Sequence, residues 1–387
     1  MSLFSSEADR LAQFPVASKQ IFLGHAGVTV LPRCAADAMI THVKASCENH
    51  QEFGEVLLEI ERTRQTCAQL INADKSEIAL LGPTSLGLSL FANGIRWKAG
   101  DELLCYRDDY PSNVYPWMAL EEQGVKVVYI EPDQPGHLTL ELVEKYLTPR
   151  TRLVALASCH YLTGWRIDVD TIGRLLQERG ILFSLDAIQT IGAFPLDVTH
   201  VDFVSADAHK WMLGPMAIGI VYVAKRNFDI CRPTLLGSWN VKSPDYISQE
   251  TIQFPTTALR YEPGVLNIVG IYGMRASLHM IQSVGLEKVS AAILDVRDYL
   301  NGLLEEMGFE FLSPSRDEPM RCGIVTARHP SVDPAVHFSL LEKAGITASL
   351  RKSRQFGQWL RFSPHFYNTR AEMDRVAEVL RRSLSAS

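Results

Sequence analysis

The sequence predicts an α/β protein: a large domain on a mainly parallel, seven-stranded sheet flanked by helices, followed by a smaller α+β domain. Three observations predict it. From about residue 77, short apolar runs alternate with amphipathic stretches, the pattern of successive βαβ units. Several of those runs are apolar nearly throughout, as strands covered on both faces are. Beyond about residue 265 the texture changes to a long helical stretch and then short mixed elements.

The strand-like runs are 77–81, 102–106, 125–130, 153–157, 181–185, 202–205 and 217–223. Before the fifth, Ile172, Leu175 and Leu176 recur at i, i+3 and i+4, and Gly180 follows as a stop, so a helix is expected there. In the second domain a helical stretch at 268–307 precedes strands at 308–312 and 323–326. A helix at 334–344, strands at 347–350 and 358–362, and a helix at 369–384 follow. The last helix opens with Thr369-x-x-Glu372, a capping box, and sets Met373, Val376, Ala377 and Leu380 on one face. The expected division is an N-terminal arm (1–20), a large domain (21–265) and a small domain (266–387). No Pro/Ser-rich linker marks the boundary.

Composition narrows the class. The 387 residues are 47% hydrophobic, enough for a sizeable core without disulfides. A net charge of -6 argues against a nucleic-acid footprint. No apolar run approaches the ~20 residues that span a bilayer, and residues 1–14 lack the apolar centre of a secretory signal. Seven cysteines, none in a CxxC, suggest neither a disulfide framework nor a zinc ribbon. A cytoplasmic enzyme with no metal and no nucleic-acid or membrane partner is expected. Nucleotide chemistry is disfavoured as well. There is no GxGxxG, and in Gly82-Pro-Thr-Ser-Leu-Gly87 the residue after the second glycine is Leu88, where a P-loop needs Lys.

The stretch that carries chemistry is Ser184-Leu-Asp-Ala-Ile-Gln-Thr190 with Ser205-Ala-Asp-Ala-His-Lys-Trp-Met-Leu-Gly-Pro215. Asp186 ends one apolar strand, and Lys210 follows the next by a few residues. In open α/β sheets ligands bind beyond the carboxyl ends of strands. A lysine and a carboxylate delivered there by neighbouring strands are what pyridoxal 5′-phosphate requires: an amine for the Schiff base and an anion that keeps the pyridine nitrogen protonated. Taken singly, Asp186-x-x-Gln189 is also a helix capping box, and a lone lysine is ordinarily solvated. The apolar, turn-rich run around His209-Lys210-Trp211 is unlike a solvated face.

The paired motif resembles the class V aminotransferase superfamily of fold-type I pyridoxal phosphate enzymes. That group includes cysteine desulfurases, selenocysteine lyases, kynureninases and isopenicillin N epimerase-like proteins. The likeness runs through nearly the whole chain in five further ordered segments: Phe22-Leu-Gly-His-Ala-Gly27, Gly82-Pro-Thr-Ser85, Tyr110-Pro-Ser-Asn-Val-Tyr-Pro-Trp117, Ser158-Cys-His-Tyr-Leu-Thr-Gly164 and Leu360-Arg-Phe-Ser-Pro-His-Phe-Tyr-Asn-Thr369. The resemblance implies that Thr84 and Ser85, opening a helix, hold the phosphate. It implies that Tyr110 stacks on the ring, that Gln189 and the Tyr161 loop face the phenolic oxygen, and that His209 reaches the phosphate. Arg361 is implied as the fork for a substrate α-carboxylate, with His25 beside the substrate. Gly264 matches a loop that a second subunit brings to the phosphate in a homodimer, although Val265 stands where the family has Thr.

One departure matters. Desulfurases place a nucleophilic cysteine on a loop just before the C-terminal arginine segment. Here 348–359 read Ala-Ser-Leu-Arg-Lys-Ser-Arg-Gln-Phe-Gly-Gln-Trp, and no cysteine follows Cys322. Cys159 does not occupy the nucleophile's position and is expected to be a small buried residue. A β-lyase of C–S type, working through Lys210 without a persulfide-forming cysteine, is therefore expected, with transamination or epimerisation as the alternative. Arg351, Lys352 and Arg354 are either a site for an acidic substrate tail or a solvated charge run.

Overall fold

The seven apolar runs form one sheet, whose inner strands bury both faces while the edge strand at 126–130 stays partly exposed. The computed structural model describes residues 3–51 and 53–384, so the ends of the expected arm and small domain lie outside the described residues. The strands are β1 (Ile21–Phe22), β2 (Ile78–Leu80), β3 (Glu102–Tyr106), β4 (Lys126–Ile130), β5 (Thr151–Ala157), β6 (Leu182–Asp186), β7 (Phe203–Asp207), β8 (Gly219–Val223), β9 (Glu310–Phe311), β10 (Val325–Arg328), β11 (Ile346–Thr347), β12 (Ser349–Ser353) and β13 (Gly357–Phe362). The central sheet has the order β2-β8-β7-β6-β5-β3-β4. Only β8 runs against its neighbours. The expected mainly parallel sheet of seven is thus the one observed.

The helices are α1 (Glu7–Gln13), α2 (Arg33–Glu48), α3 (Phe53–Leu70), α4 (Thr84–Gly94), α5 (Tyr115–Met118), α6 (Leu140–Tyr146), α7 (Val169–Glu178), α8 (Ile268–Val284), α9 (Leu286–Glu306), α10 (Pro334–Lys343) and α11 (Arg370–Leu384). One core on the sheet collects residues of α3 and α7 with Leu104, Leu156 and Leu185. The other collects α4 residues with Leu103, Leu153 and Phe203. Helix α4 lies against β7 because Gly87 has no Cβ: one built there would collide with the Ser205 hydroxyl. The expected single helix of 268–307 is two helices, since Gly285 turns the backbone at φ +92°.

The C-terminal layer is the sheet β12-β13-β10-β9 with α9, α10 and α11 packed on it. The Thr369/Glu372 capping box forms as read: the Thr369 hydroxyl accepts the Glu372 N–H at 3.2 Å, and the Glu372 carboxylate accepts the Thr369 N–H at 3.0 Å. Strand β1 pairs with β11, and Leu23 lies in this layer's core. The chain therefore touches the C-terminal layer before it enters the central sheet. The sequence reading missed α2 and α3. Their hydrophobic faces are interrupted by charge, and α2 leaves most of its length partly exposed.

A buried ion pair ties the helix layer to the sheet edge. Arg64 on α3 donates to both oxygens of Glu262 at 2.6 and 2.7 Å, and Glu262 also accepts the Leu80 N–H at 2.6 Å. Both side chains are at least 96% buried, at 4% and 1% exposure. Glu262→Ala leaves the buried guanidinium with only the half-exposed Glu61 as counter-ion, 3.0 Å from its Nε, and should cost about 3 kcal/mol, read as a lowered urea midpoint at unchanged slope.

Candidate active site

The carboxyl ends of β6 and β7, the start of α4 and the hairpin β12–β13 enclose one cavity of about 420 Å³. Asp186 is the last residue of β6 and is 3% exposed. Its Oδ1 accepts the Ile188 N–H at 3.1 Å. Burial pushes the carboxyl up to about 6, against the pull of that N–H and of Lys210. The segment after Asp186 is a turn rather than a helix, so the capping-box reading of Asp186 and Gln189 is not realised. Lys210 stands three residues beyond β7 and is 6% exposed. Burial lowers its amine to about 8; the charges of Arg361 and Arg351 push the same way, and Asp186 opposes them. Its Nζ lies 5.3 Å from the centre of the Tyr110 ring.

At the other end of the cavity Thr84 and Ser85 open α4, whose first amides have no intrahelical acceptor. Thr84 is pinned to the neighbouring strand: its Oγ1 accepts the Asp207 N–H at 2.9 Å, and its carbonyl accepts from Ser205 Oγ at 2.9 Å. His209 Nδ1 lies 2.6 Å from Asp207 Oδ1, which leaves its second ring nitrogen for a ligand. Gln189 lines the wall, donating from Nε2 to the Ala26 carbonyl at 3.1 Å and accepting from Trp211 Nε1 at 2.8 Å. Tyr110 and Tyr161 also line it, their rings 5.4 Å apart and edge to face.

The substrate end is cationic. Arg361 on β13 is 2% exposed and donates from Nη1 to the Tyr161 carbonyl at 2.6 Å. Its Nε and Nη2 are buried with no hydrogen-bond partner, as is Arg351 Nε. Burial, and next the Arg351 charge, lower Arg361 to about 9. A Cβ on Gly27 would sit 3.5 Å from Arg361 Nη2 and 3.6 Å from Arg351 Nη2, so the missing side chain leaves room beside both forks. The basic cluster is divided by the structure. Arg351 lines the main cavity, Arg354 pairs with Asp108, and Lys352 lines a separate cavity of about 300 Å³.

One expectation is corrected. His25 does not line the cavity. It is fully buried, with Nδ1 2.7 Å from Thr29 Oγ1 and Nε2 3.1 Å from the Tyr367 hydroxyl, and burial holds it well below the usual imidazole range. Its neighbours Gly24, Ala26 and Gly27 reach the cavity instead, because the chain turns there. Gly264 does not line the cavity of its own chain either; it precedes Val265, which is 69% exposed. Asp207 and Asp109 were not singled out from sequence. The signal for Asp207 was an acid two residues before His209, and for Asp109 an acid immediately before the Tyr110 ring. Cys159 is buried, as expected of a small core residue.

The residues fit pyridoxal phosphate: a desolvated amine and carboxylate side by side, a helix start for the phosphate, an exposed aromatic face, and orphaned guanidinium donors for an acid. The Aminotransferase class-V family model matches residues 21–376. The chain belongs to that family. It is a pyridoxal phosphate-dependent enzyme. A probable cysteine desulfurase of Pyrococcus abyssi is 27% identical over 394 residues, covering 96% of this chain and 97% of that protein. The apo structure of a cysteine desulfurase from Thermococcus onnurineus NA1 superposes with a TM-score of 0.92 at 24% identity, over 100% of both chains. A cystine C–S lyase in complex with cysteine persulfide gives 0.84 at 20% identity, covering 95% of this chain and 99% of that one. Among the described residues no helix is long and apolar enough to cross a membrane, and no group of three or more His, Cys, Asp or Glu is placed to hold a metal.

Proposed function

We propose that this class-V enzyme is a β-lyase that cleaves a C–S bond in an amino acid carrying a second anionic group. The observation that carries the reading is the pair of arginine forks, Arg361 with Nε and Nη2 buried and unpaired and Arg351 with Nε buried and unpaired, in the same cavity as Lys210 and Asp186. The first fork suits the α-carboxylate common to all amino acids. The second, next to it, suits an anion on the departing half, such as the distal carboxylate of a disulfide amino acid. The sequence supports the same side: no thiol follows Cys322 to accept sulfur from the substrate. The likeness to a cystine C–S lyase fold fits this reading.

Pyridoxal phosphate, when bound, makes the Cα–H bond of an amino acid labile by drawing its electrons into the pyridine ring. The chain supplies the rest. Thr84, Ser85 and His209 would hold the phosphate, and Asp186 would hold a proton at the ring nitrogen. Tyr110 would cover the ring, and Gln189 and Tyr161 would serve the phenolic oxygen. Arg361 turns the substrate so that its Cα hydrogen faces Lys210, which takes that proton. Loss of the Cβ substituent with its bonding pair completes an elimination. We propose further that the enzyme is a cytoplasmic homodimer whose second subunit brings Gly264 toward the phosphate, divided as 1–20, 21–265 and 266–387.

A panel of L-amino acids, cystine and cysteine included, tests the reading by following the visible cofactor band together with keto acid. Keto acid accumulating over many turnovers under a persistent band is the expected result. A band that bleaches once and returns only on adding a keto acid means transamination and overturns it. Arg351→Ala should raise KM for cystine about 10–100-fold, the worth of a lost charge-assisted pair. It should leave KM for substrates without the second anion within about twofold, since those never engage it.

A further inference from the structure

We propose that Asp109 is a positioning residue, a second carboxylate behind Asp186 that fixes the Tyr110 ring and strengthens the proton-holding end of the cofactor site. This rests on the assignment of Asp186 to the pyridine nitrogen. Asp109 lies in the turn after β3 and is 6% exposed. Its Oδ1 accepts the Tyr110 N–H at 2.7 Å and its Oδ2 accepts Asn113 Nδ2 at 2.9 Å, while the Asn113 carbonyl in turn takes the Trp117 indole N–H at 3.1 Å. The Ala157 N–H faces the same carboxylate. Ala157 is the register partner of Asp186 across β5 and β6. The two carboxylates therefore stand at the carboxyl end of the sheet on either side of β5, Asp109 after β3 and Asp186 at the end of β6, one holding the aromatic cover and the other facing the cavity.

Asp109 shares a cavity of about 300 Å³ with Asp108, the His160 ring and the cations Lys352 and Arg354 of the β12–β13 hairpin. Cys105 and Tyr106 face Asp109 from β3, Asp186 from β6, and Cys159 and Tyr161 from the loop after β5. No basic side chain forms an ion pair with it among the described residues; the neighbouring Asp108 takes Arg354. Both Asp109 oxygens meet donors, which suits the anion, while burial and then the Asp186 charge push its carboxyl up to about 7. Negative charge held at Asp109 makes any proton between Asp186 and the ring nitrogen harder to remove. The same side chain, through the Tyr110 N–H, sets where that ring stands.

The test is a spectroscopic titration of the holoenzyme. Wild type and Asp109→Asn, each with bound cofactor, are titrated from pH 5 to 10 on the visible absorbance band. Cofactor dissociation is measured in parallel by dialysis. The variant's midpoint should fall by about one pH unit, a tenfold loss of proton affinity, with cofactor held more weakly. Asn113→Ala, which weakens the anchor of the carboxylate without deleting it, should move the midpoint the same way by less; it decides the matter alone if Asp109→Asn does not fold. Midpoints unchanged from wild type in the cofactor-loaded variants overturn the role of Asp109. A wild-type protein that shows no band overturns the cofactor site itself, and this role with it.

Discussion

Lys210→Met should abolish turnover, lowering kcat by about 10³-fold or more while the fold persists. The magnitude follows from what the side chain does: a positioned base alone contributes about 10²–10⁴-fold, and this amine also tethers the cofactor. An ordinary lysine would be almost wholly protonated at pH 8, whereas burial brings this one to about 8, so that much of it is a free base there. Methionine has the same reach and no nitrogen. The stability consequence has the opposite sign. The folded amine binds its proton less tightly than the unfolded one, which has a pKa near 10.5. The lysine therefore costs stability at every pH below about 8, and the cost fades as pH rises from 8 through 10.5. Cofactor-free Lys210→Met should melt higher than cofactor-free wild type at pH 7, and the gap should close above pH 10. Calorimetry at the two pH values checks this. Equal melting points at pH 7 would mean that the amine reaches water and is no poised base.

How far the sequence was legible depended on whether a residue's work was local. Strands β3 and β5 were readable within two residues because both faces are buried, so an unbroken apolar run is the only pattern they can show. Asp186 and Lys210 were readable because the strand end is itself the address of the site. What could not be read was tertiary. His25 sits in a motif whose backbone reaches the cavity, but its ring turns into the core to meet Thr29 and Tyr367, a residue 342 positions away. Asp207 was half hidden: His209 is a local partner, but the Thr84 hydroxyl meets the Asp207 N–H only when β7 is laid beside α4. The charge run at 351–354 reads as one feature, yet alternation along β12 and the turn after it sends Arg351 and Arg354 to different places.

Arg361→Ala carries the second large effect, and it separates a substrate handle from a structural cation. A buried arginine with a structural role has a carboxylate partner, as Arg64 has Glu262. Arg361 has only the Tyr161 carbonyl, with two guanidinium nitrogens buried and unpartnered and a second arginine nearby lowering its proton affinity. Such a group destabilises the empty protein and is offset only when an acid arrives. Removing it should therefore leave the melting temperature of the cofactor-loaded enzyme unchanged or raised. It should lower kcat/KM for an L-amino acid about 30- to 3,000-fold, the equivalent of about 2–5 kcal/mol for a lost buried charge pair. Arg361→Lys should recover little, because an ammonium cannot make two parallel bonds to one carboxylate. Wild type and variant should bind an amine lacking the carboxylate with similar affinity, and this control tells lost recognition from a damaged site. If the variant instead loses that amine as well and melts lower, Arg361 is holding the Tyr161 loop, and the α-carboxylate must be bound by Arg351.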